Sequence, residues 1–96
     1  MATPALPPCD ARRNRRFSFA RPVRLGWIGE ERRMRYCIAR GIDISGSGIA
    51  VQLNERLRLS ALVHIELQSG STGLGRVCYC VPRNGHWRAG IQLVGS

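Results

Sequence analysis

The stretch Asp43-Ile44-Ser45-Gly46-Ser47-Gly48-Ile49-Ala50-Val51-Gln52-Leu53 decides the fold of this chain. Small and polar residues fill its first half, and the apolar run from Ile49 to Leu53 follows at once. Asp, Ser and Gly suit tight turns, because Gly adopts unusual backbone angles and Asp and Ser bond to nearby backbone groups. The stretch therefore predicts the end of one strand, a short turn and a second strand. The turn itself carries a D-x-S-x-x-G motif.

Short apolar runs recur on both sides of this hairpin, separated by Gly, Pro and Asn. They alternate most clearly over residues 62–67, where Val63 and Ile65 share one face of an extended chain and His64 lies on the other. Strands are predicted over residues 17–27, 34–42, 49–53, 62–67, 76–81 and 87–94, with turns at 29–31, 68–73 and 82–85. Strands of this length and spacing predict an all-β fold, either a small antiparallel barrel or a sandwich.

Two places in this pattern leave a choice open. Pro22 lies within the first predicted strand, so it either puts that strand at a sheet edge or interrupts it. Residues 54–59 fit an extended crossover and one helical turn equally well.

The N-terminal region divides into a tail and a basic arm. Residues 1–11 contain three prolines and predict a disordered tail. Residues 12–96 form a single domain, since a chain of 96 residues is too short for two cores. The arm begins with Arg12 and Arg16 in an R-x-x-x-R pattern, and the like charges between them predict a flexible segment that needs a counter-charge to fold.

The two motifs together suit a guanine nucleotide. The N7 and O6 atoms of guanine are acceptors and fit the planar donor fork of an arginine. Its N1 and N2 groups are donors and fit an ionised carboxylate such as Asp43, which only accepts. Arginine donors that remain can pair with phosphates, and Gly48 lets the backbone approach a ligand closely.

With these motifs in this order, the chain resembles the PilZ domain family. The Arg pair precedes the first strand, the D-x-S-x-x-G motif closes the second, and residues 89–93, Ala-Gly-Ile-Gln-Leu, are similar to the family's last strand. The resemblance implies a six-stranded antiparallel barrel of the split-barrel type and a non-catalytic receptor for the bacterial second messenger cyclic di-GMP. The residues expected to bind it are Arg12, Arg16, Asp43, Ser45 and Gly48, with Arg13 as a second-tier contact.

Some features of the site stay open at this stage. Arg15 touches phosphate or only solvates the arm, and Tyr79 either stacks near the ligand or packs in the core. Ala11 stands where such domains often carry a further Arg, which leaves the choice between one bound ligand and a stacked pair open. Many relatives continue into a C-terminal helix, whereas no long C-terminal helix is expected here.

Composition supports a binding protein and offers alternatives. The net charge of +9 comes from 15 arginines, and it favours an anionic partner. A second hypothesis is an arginine arm that folds on RNA or DNA, and a third is an adaptor for proteins that binds the ligand weakly. Paired carboxylates, a nucleophile beside a base, and a phosphate-cradling loop are all missing from the sequence, so an enzyme is not expected.

The remaining expectations concern compartment and cofactors. The longest apolar runs are far shorter than the ~20 residues of a membrane span, and the N-terminus does not resemble a secretory signal. Cys9, Cys37, Cys78 and Cys80 are predicted to be reduced. No metal or other cofactor is expected, the downstream protein partner is unknown, and the resemblance implies the bacterial cytoplasm.

Overall fold

A computed structural model describes residues 17–94 of the chain. It contains seven strands: β1 (Phe17–Ser18), β2 (Pro22–Ile28), β3 (Met34–Ile44), β4 (Gly48–Leu53), β5 (Leu62–Leu67), β6 (Thr72–Arg83) and β7 (His86–Leu93). Strand neighbours follow the order β1-β3-β2-β5-β6-β7-β4, every pairing is antiparallel, and a further pairing between β3 and β4 closes the sheet. The predicted six-stranded barrel is thus confirmed as β2 to β7, with β1 as one extra strand.

The first predicted strand is interrupted, which is one of the two outcomes that Pro22 allowed. β1 and β2 both pair with β3, where Ser18 lies opposite Asp43 and Pro22 opposite Arg40. The short link between them crosses directly over Gly41, whose N–H donates to the carbonyl of Arg21 at 2.8 Å. A side chain at position 41 would collide with the backbone of Phe19, so this crossing requires glycine there.

The last hairpin differs from its predicted position. The turn consists only of Asn84 and Gly85, which both have positive φ, at 51° and 84°. Two consecutive residues with positive φ define the tight hairpin turn that matches the twist of the flanking strands. Pro82, predicted to belong to the turn, lies inside β6 opposite Trp87. It is tolerated because β6 runs on beyond Arg76, where its pairing with β5 ends.

The barrel interior is filled by aliphatic side chains that alternate along the strands. In β5, Val63 and Ile65 are buried and His64 is exposed, as predicted. The buried cluster comprises Val23, Leu25, Ala39, Ile49, Val51, Leu53, Leu57, Val63, Ile65, Val77, Ala89 and Ile91. Each large aliphatic side chain buried in this way stabilises the fold by about 1.5 to 3 kcal/mol.

The open question about residues 54–59 is settled in favour of an extended crossover. No helix forms there, and Leu57 enters the core with only 2% of its surface exposed. Its backbone N–H donates to the Sγ atom of Cys80 at 3.3 Å. The segment therefore covers one end of the barrel with a single apolar side chain.

Candidate ligand-binding face

The D-x-S-x-x-G motif forms the hairpin between β3 and β4. The backbone N–H of Ser45 donates to the carbonyl of Gly48 at 2.9 Å, and the N–H of Leu93 donates to the carbonyl of Ser47 at 2.9 Å. The Oγ atom of Ser45 accepts a weaker bond from the backbone N–H of Ser47 at 3.3 Å. The hairpin is thus held to the end of β7. A hydroxyl group can accept two hydrogen bonds and donate one, so the Ser45 side chain retains capacity for a ligand.

A bulge in β3 turns Asp43 toward the outside of the barrel. Arg40 pairs with Gln52 and Gly41 with Val51, but the next pair joins Asp43 to Ala50, so Ile42 is an extra residue. Alternation in a regular strand would put Asp43 on the same face as buried Gly41. The extra residue reverses the alternation, which is how bulges commonly re-aim a side chain. Asp43 is half-buried in this position.

A second bulge, in β6, acts on Tyr79 in the same way. Val77 pairs with Ile91, whereas Tyr79 pairs with Gly90 and leaves Cys78 as the extra residue. Val77 is buried, with 2% of its surface exposed. Tyr79, two positions later, lies outside the core cluster, whereas Cys80 packs against the core cluster. Of the two roles that the sequence left open for Tyr79, the structure therefore excludes the core.

The two bulges bring Asp43 and Tyr79 into one row across the outside of the barrel. Asp43 pairs with Ala50, Ala50 with Gly90, and Gly90 with Tyr79. Since neighbouring strands lie about 4.8 Å apart, the row is about 14 Å long. Its middle consists of small residues, and the Tyr79 ring lies directly over Gly90, where a Cβ atom would collide with it. We call Asp43, Ala50, Gly90 and Tyr79 the outer row.

Gly48 has a structural role in addition to the ligand role that stays a prediction. A Cβ atom at this position would lie 2.6 Å from the carbonyl oxygen of Ile91 in β7. Two backbones approach closely here, so a side chain would force the two strands apart. The close approach that requires glycine is therefore already present between two strands of the protein, without a ligand.

A basic groove adjoins the outer row, and sequence reasoning missed it. It has a volume of about 450 Å³ and is lined by Ala20, Arg21, Pro22, Ile38, Ala39, Arg40, Gln52, Leu53, Asn54 and His86. The next cross-strand row contains Arg40, Gln52 and Arg88 in register. These residues are far apart in sequence and only the strand pairing brings them together. The arginine motif itself, Arg12, Arg13, Arg15 and Arg16, lies outside the described residues.

One prediction about cysteine is wrong. Cys37 and Cys80 are free, but Cys78 is disulfide-bonded. The sequence put Cys78 and Cys80 on one face of a strand. Because Cys78 is the extra residue of the bulge, it does not share the core-facing side with Cys80. Within residues 17–94, no three His, Cys, Asp or Glu side chains gather as metal ligands would.

These features define a class: a small closed antiparallel barrel with a polar hairpin at one rim and an outward row in which a half-buried acid and a half-buried aromatic flank two small buried residues. The family model for the PilZ domain matches residues 10–95. The chain belongs to the PilZ family, whose domains generally bind cyclic di-GMP and are generally not catalytic. Comparison with curated proteins gives no match. No helix within residues 17–94 has the length and apolar character to span a membrane.

Proposed function

We propose that this protein is a non-catalytic receptor for cyclic di-GMP, which it binds across the outer row. The observation that carries the proposal is the pair of bulges, because two separate irregularities turn an acid and an aromatic ring to the same row. Between them, Ala50 and Gly90 are small and buried, with Gly90 beneath the Tyr79 ring, so a planar base would lie against that ring on the side toward Asp43. Because cyclic di-GMP is a bacterial second messenger, the proposal places this receptor in the bacterial cytoplasm.

Each residue has a distinct part in this binding. The Asp43 carboxylate accepts from N1 and N2 of one guanine, and the Ser45 hydroxyl bonds to the same base. Arg12 and Arg16 donate to the opposite guanine edge and to phosphate, with Arg13 as an additional phosphate contact. Tyr79 offers the exposed side of its ring to a purine. Gly48 contributes by holding the hairpin against β7, so that Asp43 and Ser45 keep their positions.

The signal in this proposal is the docking of the arm. The arm carries four arginines within five residues, so phosphate neutralises repulsion that otherwise opposes its folding. A ligand that contacts both the arm and the outer row joins the two, and a partner protein recognises the joined state. Ordering of a segment on ligand binding is an established way to transmit a binding event.

The test is calorimetric titration of the protein with cyclic di-GMP at two salt concentrations, with GTP and a short single-stranded oligonucleotide as controls. We expect saturable binding of the dinucleotide alone. Heat only with the oligonucleotide, and with a steep salt dependence, would assign the arm to nucleic acid instead.

Asp43→Asn tests the site within that experiment. A charge-assisted hydrogen bond contributes about 1.5 to 3 kcal/mol, so affinity should fall by roughly tenfold to more than a hundredfold. Glu66→Gln is the matched control, since it removes the same charge from a strand on the other side of the barrel. Equal losses in both variants would contradict the proposed site and indicate an effect of net charge only.

A further inference from the structure

A second outer face of the barrel carries most of the exposed large apolar side chains of the described residues, and it meets the basic groove at Ile38 and Arg40. It is formed by the first half of β3, by β2 and β5, and by the first half of β6. Ten large apolar side chains are exposed within the described residues, and six of them lie here: Ile28, Met34, Tyr36, Ile38, Leu62 and Leu74. Ile28 and Ile38 are each 67% exposed. We call this surface the apolar face.

Strand register assembles the apolar face into continuous rows. One row runs through Tyr36, Gly26, His64 and Leu74. The next contains Ile38, Arg24, Glu66 and Thr72. The face spans four strands and about five residues along β3, or about 14 by 13 Å between backbone positions. Arg24, His64, Glu66 and Thr72 interrupt the apolar side chains within these rows. Exposed apolar side chains that gather in one area and are rimmed by polar residues commonly mark interaction sites on soluble proteins.

The centre of the apolar face is already ordered. The Tyr36 ring lies over Gly26, where a Cβ atom would be 2.9 Å from the ring. The Arg24 guanidinium stacks on the same ring at 4.6 Å from its centroid and also pairs with Glu66 at 3.6 Å. Tyr and Arg are the residue types most enriched where truncation weakens protein interfaces. Side chains fixed before binding lose less conformational entropy when a partner docks.

The charge around the apolar face selects the kind of partner. Arg40 follows Ile38 along β3, and Arg76 lies opposite Leu62 at the other corner. The only acid within the rows is Glu66, and it pairs with Arg24. Residues 17–94 as a whole carry eleven arginines against five acidic residues. A second copy of this chain would bring like charges together, whereas an acidic partner would be attracted.

We propose that the apolar face is the docking site for a partner protein with an apolar centre and an acidic rim. Tyr36 and its neighbours Ile38 and Leu74 fill the partner's apolar centre, and Arg40 and Arg76 pair with its carboxylates. None of these residues belongs to the outer row, and only Ile38 and Arg40 line the basic groove beside it. Tyr36 and Leu74 lie outside both, so variants at these two positions test the proposal independently of cyclic di-GMP.

The test uses a synthetic amphipathic helix as the probe, with leucines along one side and glutamates along the other. Its affinity for the full chain is measured by fluorescence anisotropy. A lysine version of the same helix and a polyglutamate peptide serve as the matched probes. We expect the glutamate helix to bind tightest, and Tyr36→Ala to weaken it by at least about tenfold. Arg40→Gln should weaken it less, and Asp43→Asn should leave it unchanged.

Other outcomes would assign the face differently. The proposal would be overturned if the lysine helix bound as tightly as the glutamate helix. It would also be overturned if Tyr36→Ala bound the glutamate helix as tightly as the unchanged protein does. Dimerisation in sedimentation that Tyr36→Ala abolishes would make a second copy the occupant. Binding to vesicles with anionic lipid that Tyr36→Ala abolishes would make it a membrane. Probe binding that appears only after deletion of residues 1–11 would assign the face to the chain's own N-terminus. Circular dichroism of each variant verifies that the barrel remains folded.

Discussion

Tyr36 and Tyr79 each lie over a glycine of the neighbouring strand, but on two different faces of the barrel. Tyr36 covers Gly26 within a regular pairing of β2 and β3, with Met34 and Ile38 on either side of it along β3 and the Arg24 guanidinium stacked on its ring. Tyr79 covers Gly90 next to a bulge, and its row leads through Ala50 to Asp43. The local arrangement is the same in both places. What distinguishes the faces is therefore the set of residues around each ring.

The comparison shows how one small barrel can present two chemically different surfaces. β3 and β6 have 11 and 12 residues and contribute to both faces. Their first halves carry the apolar face, and the residues after their bulges carry the outer row. One extra residue in each strand reverses the alternation at that point. The protein thus divides two long strands between two surfaces without leaving the sheet.

The largest difference between the faces should appear in ligand binding. Tyr79→Ala removes the ring from the outer row. Stacking of a base on an aromatic side chain contributes about 1 to 3 kcal/mol, so the binding free energy for cyclic di-GMP should weaken by about that amount. Tyr36→Ala is the control and should leave the affinity unchanged. Calorimetry measures both. A comparable loss in Tyr36→Ala would mean that the two faces are coupled or that the ligand lies elsewhere.

A smaller difference should appear in stability when glycines on the two sides are replaced. Gly48→Ala forces a Cβ atom against the Ile91 carbonyl of β7, so we expect a loss of roughly 1 to 3 kcal/mol. Gly26→Ala meets only side-chain atoms, the Tyr36 ring at 2.9 Å and Met34 at 3.6 Å. A shift of the ring by a few tenths of an ångström relieves the contact, so the cost should stay below about 1 kcal/mol. Urea unfolding of both variants checks this. Equal free energies of unfolding would show that the β4 backbone can move away from β7.

The smallest effect concerns Cys37, whose side chain points inward beneath the apolar face. Burial, with a further contribution from the Glu55 charge, raises the pKa of this thiol above its ordinary value of 9.0, while Arg35 acts in the opposite direction. The folded state therefore holds the proton more tightly than the unfolded state does. Below pH 9.0 this contribution to stability is fully present, and it is lost as the pH rises through the higher pKa of the folded state.

Urea unfolding should show that the free energy of unfolding of the protein declines as the pH rises through this alkaline range. The decline should be shallower in Cys37→Ala. Identical pH profiles would mean that the Cys37 thiol is equally acidic in the folded and unfolded chain.

Residue alternation was sufficient to predict most of the barrel. It gave the inward and outward sides of β5 correctly, and the loop composition located the hairpin after Asp43. The bulges were not predictable, because an extra residue such as Ile42 or Cys78 continues the apolar pattern and only pairing with the neighbouring strand reveals it. For the same reason the orientation of Tyr79 stayed open.

The candidate site was predictable only in part. Asp43 and Ser45 were found from the motif, and both lie at the rim hairpin. Arg40 and Arg88 were missed, because nothing local distinguishes them among 15 arginines and only strand register puts them beside the outer row. The ligand roles of all six residues stay predictions: Arg12, Arg13, Arg16, Asp43, Ser45 and Gly48.

Gly48 also affects how much a motif match reveals. The Ile91 carbonyl leaves no room for a side chain at position 48. Any barrel with this strand crossing would therefore need glycine here, including one that did not bind a nucleotide. Its presence therefore carries information about architecture and little about ligand. A change at Gly48 would alter the packing of β4 on β7 whether or not a nucleotide is bound.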